Sequence, residues 1–297
     1  MSSQESDPPD HVHLLADGRR LGWCEFGPAD GPVIVYCHGL PGTRRDCSFD
    51  PTALRATGAR VIGIDRPGFG LSSPEHGRRS YAGWARDVEH LLDALGIEHV
   101  GVVGYSCGGP YALACAAVLP RRVSSVALVG GVATADMPGF LRSLPRADAA
   151  MLIAALRTPS LARSGTALAL REARRKPHVF RERLDREFPS AADRAALEQE
   201  VVREFTRLMF LEAGRGGSAG IVEDFAVWAR PSGIRLDQIA APVTLWHGAE
   251  DLAVPLSHAE WFAERIPGAA LTVWPGVGHI PPGAAWRDVT AAMTGSG

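Results

Sequence analysis

Val100-Gly101-Val102-Val103-Gly104-Tyr105-Ser106-Cys107-Gly108-Gly109-Pro110 is the stretch on which the reading of this chain turns. His99 to Val103 is a short β-branched run with no charge after its first residue, the pattern of a strand buried on both faces. Pro110 to Leu119 is built from alanine and other helix-compatible residues and opens on a proline, which suits a helix start. Gly104 and Gly108 lie two positions either side of Ser106, at the junction of strand and helix. This is the nucleophile-elbow spacing: a tight, strained turn lifts the serine hydroxyl clear of the sheet, and a Cβ at either glycine would crowd that turn.

Working outward, the same alternation repeats. His11–Leu15 and Arg20–Phe26 bracket a turn at Ala16-Asp17-Gly18-Arg19 and are expected to form an antiparallel hairpin. Pro32–Cys37 and Arg60–Asp65 are buried-type strands, with a helix expected around Phe49–Thr57 between them. A helix over about Tyr81–Leu95 carries Trp84, Val88, Leu91, Leu92 and Leu95 at helical spacing. Val123–Val129 is a fourth such strand. The rhythm then breaks from about Ala133 to Pro231, where helical segments are expected at Ala147–Leu156, Leu161–Ala173, Arg181–Phe188, Ala191–Leu211 and Ile221–Trp228. Pro242–His247 restores the strand pattern. A helix at Ser257–Arg265, a strand at Ala270–Trp274 and a helix near Trp286–Met293 complete it. The pattern predicts an α/β protein with a mostly parallel central sheet flanked by helices. Residues 1–132 and 231–297 form the core and 133–230 an inserted helical cap.

Composition narrows the function classes. The 297 residues carry 31 basic and 33 acidic side chains, a formal net charge of -2, so no electrostatic footprint for nucleic acid is present. Lys176 is the only lysine, which removes phosphate-binding glycine loops that need one and leaves Schiff-base chemistry only this residue, in an arginine-rich segment. Five cysteines lack the paired spacing of a metal site, and no uninterrupted apolar run reaches the roughly 20 residues of a membrane span. Met1–Asp10 is acidic and polar, unlike a signal peptide. The expectation is a cytoplasmic protein with a small-molecule substrate and no nucleic-acid partner, of unspecified oligomeric state. No cofactor is expected, because the glycines near Gly63, Gly68 and Gly70 lack dinucleotide-fingerprint spacing. No metal is expected either, His11 and His13 being only two ligands on one strand face.

Several segments together resemble the α/β-hydrolase fold superfamily, in particular capped serine hydrolases of the esterase and lipase type. His38-Gly39-Leu40-Pro41-Gly42 is similar to the family's oxyanion-side loop, and Asp65-Arg66-Pro67-Gly68-Phe69-Gly70-Leu71-Ser72 to the loop after the next strand. Gly248–Pro255 resembles its acid-bearing loop and Gly276-Val277-Gly278-His279 its histidine loop. The order Ser106, Asp251, His279 follows the nucleophile–acid–base order of that fold. The resemblance implies Ser106 as nucleophile, His279 as base and Asp251, ahead of Glu250, as the orienting carboxylate. Main-chain N–H groups of Leu40 and Cys107 are implied as oxyanion donors.

The chemistry accounts for these residue types. A serine hydroxyl attacks only if a base accepts its proton, and a neutral imidazole does so near pH 7 and returns the proton to the leaving group. Tyr105, beside the nucleophile, is expected to touch substrate. Phe140, Met151, Leu152, Leu156, Phe205, Met209, Phe210, Phe225 and Trp228 are candidates for an apolar wall, with helix packing the competing use. The arginine-rich stretch Arg171–Arg186 is expected to be a solvated face. Hydrolysis of a small or medium-sized carboxylic ester or lactone through an acyl-enzyme is the leading expectation. Carbon–carbon bond hydrolysis, amide hydrolysis or cofactor-free perhydrolysis would use the same residues, and a non-catalytic binding protein on this scaffold is the alternative of a different class.

Overall fold

The computed structural model describes residues 9–48, 58–75, 77 and 79–294. An eight-stranded sheet runs through the molecule in the order β1-β2-β4-β3-β5-β6-β7-β8, with β1 His11–Leu14, β2 Arg20–Phe26, β3 Val33–Cys37, β4 Arg60–Ile64, β5 Val100–Tyr105, β6 Val123–Val129, β7 Val243–Gly248 and β8 Ala270–Trp274. The β1–β2 hairpin is antiparallel and β2 joins β4 antiparallel, while β4, β3, β5, β6, β7 and β8 run parallel to one another. The expected strands are therefore present, within a residue or two at their ends. The helix expected around Phe49–Thr57 lies outside the described residues.

Helices cover the sheet because its strands are apolar on both faces. The helix Tyr81–Ala94 is capped by Ser80, whose Oγ accepts the Gly83 N–H at 3.0 Å, and turns Tyr81, Trp84, Ala85, Val88, Leu91 and Leu92 inward. The helix Gly109–Val118 is buried on nearly every side, as a helix apolar all round must be. Tyr81 and Tyr111 meet edge to face at 4.6 Å between these two helices.

The strand order determines where a site can form. From β3 the chain proceeds to β4 on one side and from β5 to β6 on the other, so the loops leaving the carboxyl ends of β3 and β5 diverge. Such a divergence opens a crevice in an α/β sheet. The register pairs Cys37 with Gly104, which brings the segment after Cys37 beside the turn after Tyr105.

Between β6 and β7 lie seven helices: Phe140–Ser143, Arg146–Arg157, Pro159–Arg175, Pro177–Glu187, Ala191–Glu198, Glu200–Ala213 and Ala219–Trp228. They roof the crevice with a core of their own, including Leu170, Phe180, Leu184, Leu197, Val202, Phe210 and Ile221. The single helix expected over Ala191–Leu211 is two, separated at Gln199, whose backbone is extended. The break has a packing reason. On a continuous helix Leu197 and Val202 would point about 140° apart, yet both are buried in that same core. Among the described residues no helix is long and apolar enough to cross a membrane, and all five cysteines are free.

Candidate active site

Ser106 has φ of 52°, the one positive value among the described non-glycine residues. The strain persists because the surroundings leave no alternative. A Cβ at Gly104 would lie 2.7 Å from the Gly109 Cα, and one at Gly108 would collide with the Cys37 carbonyl. The elbow therefore presses directly against the end of β3, and glycine at both positions is a steric requirement.

Three elements of the sheet bring their loops to this point. Ser106 follows β5, Asp251 follows β7 and His279 follows β8. The Ser106 Oγ is 3.0 Å from His279 Nε2, and His279 Nδ1 is 2.7 Å from Asp251 Oδ2. An ionised carboxylate only accepts, so the ring proton sits on Nδ1 and Nε2 faces the hydroxyl as acceptor. Asp251 Oδ1 accepts the N–H groups of Ala253 and Val254 at 3.0 and 2.8 Å, which leaves Oδ2 to His279.

The electrostatics follow from burial and neighbours. Burial disfavours the His279 imidazolium, but the charge and hydrogen bond of Asp251, with Asp193 and Asp148 beyond, hold its pKa above the ordinary value. Burial likewise disfavours the Asp251 carboxylate, and His279 with the loop amides outweighs this and holds its pKa low. Such a hydroxyl–imidazole–carboxylate chain can transfer the serine proton as the oxygen attacks an electrophilic carbon.

The loop after β3 closes the other side. Gly39 and Leu40 line the same cavity as Ser106. Arg66, fully buried, donates to the His38 carbonyl and, at 2.8 Å, to that of Gly39. His38 accepts the Arg66 N–H on Nε2 at 3.2 Å and therefore donates Nδ1–H to the Gly39 carbonyl at 2.8 Å. Burial, with the Arg66 charge, pushes its pKa far down. His38 is thus a neutral strut of the loop. Asp65, as its place in the motif suggests, accepts the main-chain N–H groups of Arg44 and Leu71 at 2.8 and 2.9 Å.

Cys107 faces away from the cavity, packed with Phe140, Leu152, Trp228 and Val254. Burial drives its thiol pKa far above the usual range, and the elbow group that meets His279 is the Ser106 hydroxyl. His247 donates Nε2–H to the Val254 carbonyl at 2.8 Å and steadies the Asp251 loop.

The cavity above Ser106 has a volume of about 860 Å³. Met151, Phe205, Met209, Phe210 and Phe225 line it. Phe140, Leu152 and Trp228 do not, because they form the packed layer behind Cys107, and Leu156 is exposed. The arginine-rich segment is not wholly a solvated face, since Arg183 and Arg186 also reach the cavity. Tyr105 lines the wall and stacks on His279 at 5.3 Å, with its hydroxyl donating to the His279 carbonyl at 3.0 Å. Its polar end therefore serves the histidine loop. Among the described residues no group of three or more His, Cys, Asp or Glu side chains is arranged to hold a metal.

Sequence reasoning missed a buried charge cluster joining roof and floor. Arg66 meets Asp224 Oδ2 at 2.7 Å, Arg79 meets Asp224 Oδ1 at 2.9 Å, and the Tyr111 hydroxyl donates to Oδ1 at 2.5 Å. Asp224 lies on the roof helix Ala219–Trp228, so the arginine that braces the Gly39 carbonyl is itself paired from the inserted region. The Arg66 part of this was visible as a charge inside a glycine-rich turn; nothing local marked Asp224.

Comparison with known proteins agrees with this architecture. The alpha/beta hydrolase fold family matches residues 32–282. A 2-hydroxymuconate semialdehyde hydrolase of Pseudomonas putida is 30% identical over 294 residues, covering 94% of this chain and 91% of that protein. A 2-hydroxy-6-oxononadienedioate/2-hydroxy-6-oxononatrienedioate hydrolase of Cupriavidus pinatubonensis is 29% identical, covering 86% of this chain and 83% of its own. Among solved structures, an esterase from a Rhodococcus species superposes with a TM-score of 0.69 at 21% identity, covering 96% of this chain and 99% of that one. The chain belongs to the alpha/beta hydrolase fold family and is an enzyme of the hydrolase kind.

Proposed function

We propose that this enzyme is a serine hydrolase that cleaves a small or medium-sized carboxylic ester or lactone through an acyl-enzyme. The observation that carries the reading is the unbroken chain from Ser106 Oγ to His279 at 3.0 Å and from His279 to Asp251 at 2.7 Å, opening into a cavity with a mainly apolar wall.

In this mechanism the Ser106 oxygen attacks the acyl carbon while His279 Nε2 takes the hydroxyl proton. Asp251 stabilises the resulting imidazolium and keeps the ring oriented. The main-chain N–H groups of Leu40 and Cys107 hold the oxyanion, and Arg66 and His38 keep the Leu40 side of that pair in place through the His38 and Gly39 carbonyls. His279 then protonates the leaving oxygen. A water activated by the same imidazole attacks the acyl-enzyme, releases the acid and restores Ser106. Residues 133–230 act as the cap, and Tyr105 contributes its ring to the substrate wall.

Hydrolysis of a carbon–carbon bond is the second reading, and the names of the Pseudomonas putida and Cupriavidus pinatubonensis relatives favour it. The wall itself is mixed in charge, with Arg183 and Arg186 lining the cavity alongside Asp148 and Glu187, so its charge favours neither a neutral ester nor a dianion. The test sets purified enzyme and Ser106→Ala on esters and lactones of graded size and on 2-hydroxymuconate semialdehyde. Serine-dependent turnover of the esters or lactones, with a serine-directed phosphonate on Ser106, supports the proposal. Turnover of the semialdehyde alone transfers the assignment to carbon–carbon cleavage. Tight binding of a compound without turnover, unchanged in the alanine variant, would refute the serine-dependent reading for that compound class.

A further inference from the structure

Asp193 stands three residues after Ser190, the N-cap of the roof helix Ala191–Glu198. Ser190 Oγ accepts the Asp193 N–H at 3.0 Å and donates to Asp193 Oδ2 at 2.7 Å. That local exchange would cap the helix by itself and uses one carboxylate oxygen. The other oxygen leaves the helix: Asp193 Oδ1 accepts the main-chain N–H of Ile280 at 2.8 Å, the residue directly after His279. Gly278, directly before His279, packs so closely that a Cβ there would collide with the same carboxylate. One side chain of the inserted helices therefore grips the histidine loop on both flanks of the imidazole.

Asp193 is fully buried and forms no salt bridge with Lys, Arg or His among the described residues. Hydrogen bonds from Ser190 and Ile280 offset part of the cost of burying this carboxylate, and a positive charge nearby would offset more. His279 is the group on which such a charge forms. We propose that Asp193 is a positioning residue for His279: it fixes the histidine loop through Ile280 and, as a second carboxylate, stabilises the imidazolium formed when Ser106 attacks. The catalytic geometry then depends on the roof being seated, because the anchor belongs to the roof. This inference rests on the reading of His279 as the base.

The other titratable groups acting on His279 are Asp251 on the loop after β7, His247 at the end of β7, Asp148 on the helix Arg146–Arg157 and Glu187 on the helix Pro177–Glu187. Tyr105 and Phe188 stack on the ring at 5.3 and 6.0 Å. Asp251 dominates, and Asp193 is the carboxylate bonded to the backbone of the histidine's own loop.

The test is Asp193→Asn, which keeps an oxygen to accept from Ile280, reverses the Ser190 contact so that the amide N–H donates to Ser190 Oγ, and removes the charge. With the charge gone the imidazolium loses support, so the acid limb of the kcat/KM profile moves to lower pH. The kcat on its plateau falls roughly fivefold to tenfold, the difference between a charge-assisted and a neutral partner, with KM within about twofold. Asp193→Ala also loses the Ile280 anchor and falls further in kcat. An acid limb and kcat equal to wild type in a folded Asp193→Asn protein would overturn the proposal and leave Asp193 as a helix cap. The imidazole titration of His279, followed by NMR in a Ser106→Ala background with and without Asp193→Asn, reads the same effect without turnover. If the titration moves down while the ester panel is inactive, the hydrolytic reading fails and the electrostatic role stands. An unmoved titration overturns the role whatever the activity.

Discussion

Replacing Asp224 by asparagine conserves the shape of a side chain while removing the one negative charge that two buried arginines share. The Arg66 and Arg79 side chains are 0% and 1% exposed and meet Asp224, itself 2% exposed, at 2.7 and 2.9 Å. Water cannot reach these guanidinium groups to replace the lost partner. Removing one member of a buried pair costs about 3–5 kcal/mol, and the loss of a counter-charge to two cations places this case toward the upper end. For a chain of 297 residues the melting temperature should fall by roughly 5–8 °C. Differential scanning calorimetry at pH 7 measures it, with Asp237→Asn as the reference. The Arg235–Asp237 pair has nearly the same separation, 2.8 Å, but is 66% and 60% exposed, so its loss should leave the melting temperature unmoved. A second readout separates packing from positioning. At 25 °C, where the variant remains folded, kcat should fall because Arg66 no longer holds the Gly39 carbonyl, and the loop carrying Leu40 loosens. A melting temperature within about 2 °C of wild type would refute the account, since it would mean that the arginines find other partners or solvent.

Asp251→Asn should lower kcat by roughly 10³–10⁴-fold by presenting the wrong imidazole tautomer to Ser106, and its pH profile should lose the raised acid limb. Calorimetry across pH tests the linked effect on stability. The folded pKa of His279 lies above its unfolded value, so the pair adds stability below the unfolded pKa, and that contribution is lost as pH rises through the folded pKa. Gly108→Ala drives a Cβ into the Cys37 carbonyl; we expect a loss of about 1–3 kcal/mol and a large fall in labelling of Ser106 by a serine-directed phosphonate. Met209→Ala and Phe210→Ala should raise kcat/KM for bulkier substrates relative to small ones, checked on a graded ester series.

Local pattern carried most of the scaffold. Apolar runs such as Val33–Cys37 and Val100–Tyr105 could be read as strands because nothing but burial explains so many β-branched residues in succession. The spacing of Gly104, Ser106 and Gly108 showed that a strained turn was required at that junction. Helix ends were less legible: Leu197 and Val202 look continuous in sequence and separate only because both must face one core. The cavity wall was harder still. Phe140 and Trp228 are as apolar as Phe205 and Phe210, and periodicity does not say whether the face a helix turns inward meets protein or empty space.

The sequence by itself determined which residues could supply a nucleophile, a base and a carboxylate, and the alternation that forms a parallel sheet, because those depend on residue type and on the neighbours a few positions away. Only the tertiary structure decided which charges are answered. Asp224 beneath Arg66 and Asp193 beside Ile280 belong to helices far along the chain from their partners, and at the level of sequence each is one more acidic residue on an amphipathic helix. Burial distinguishes them. A carboxylate removed from water must be satisfied by whatever the fold brings to it, and in this protein the fold brings the two loops that flank Ser106.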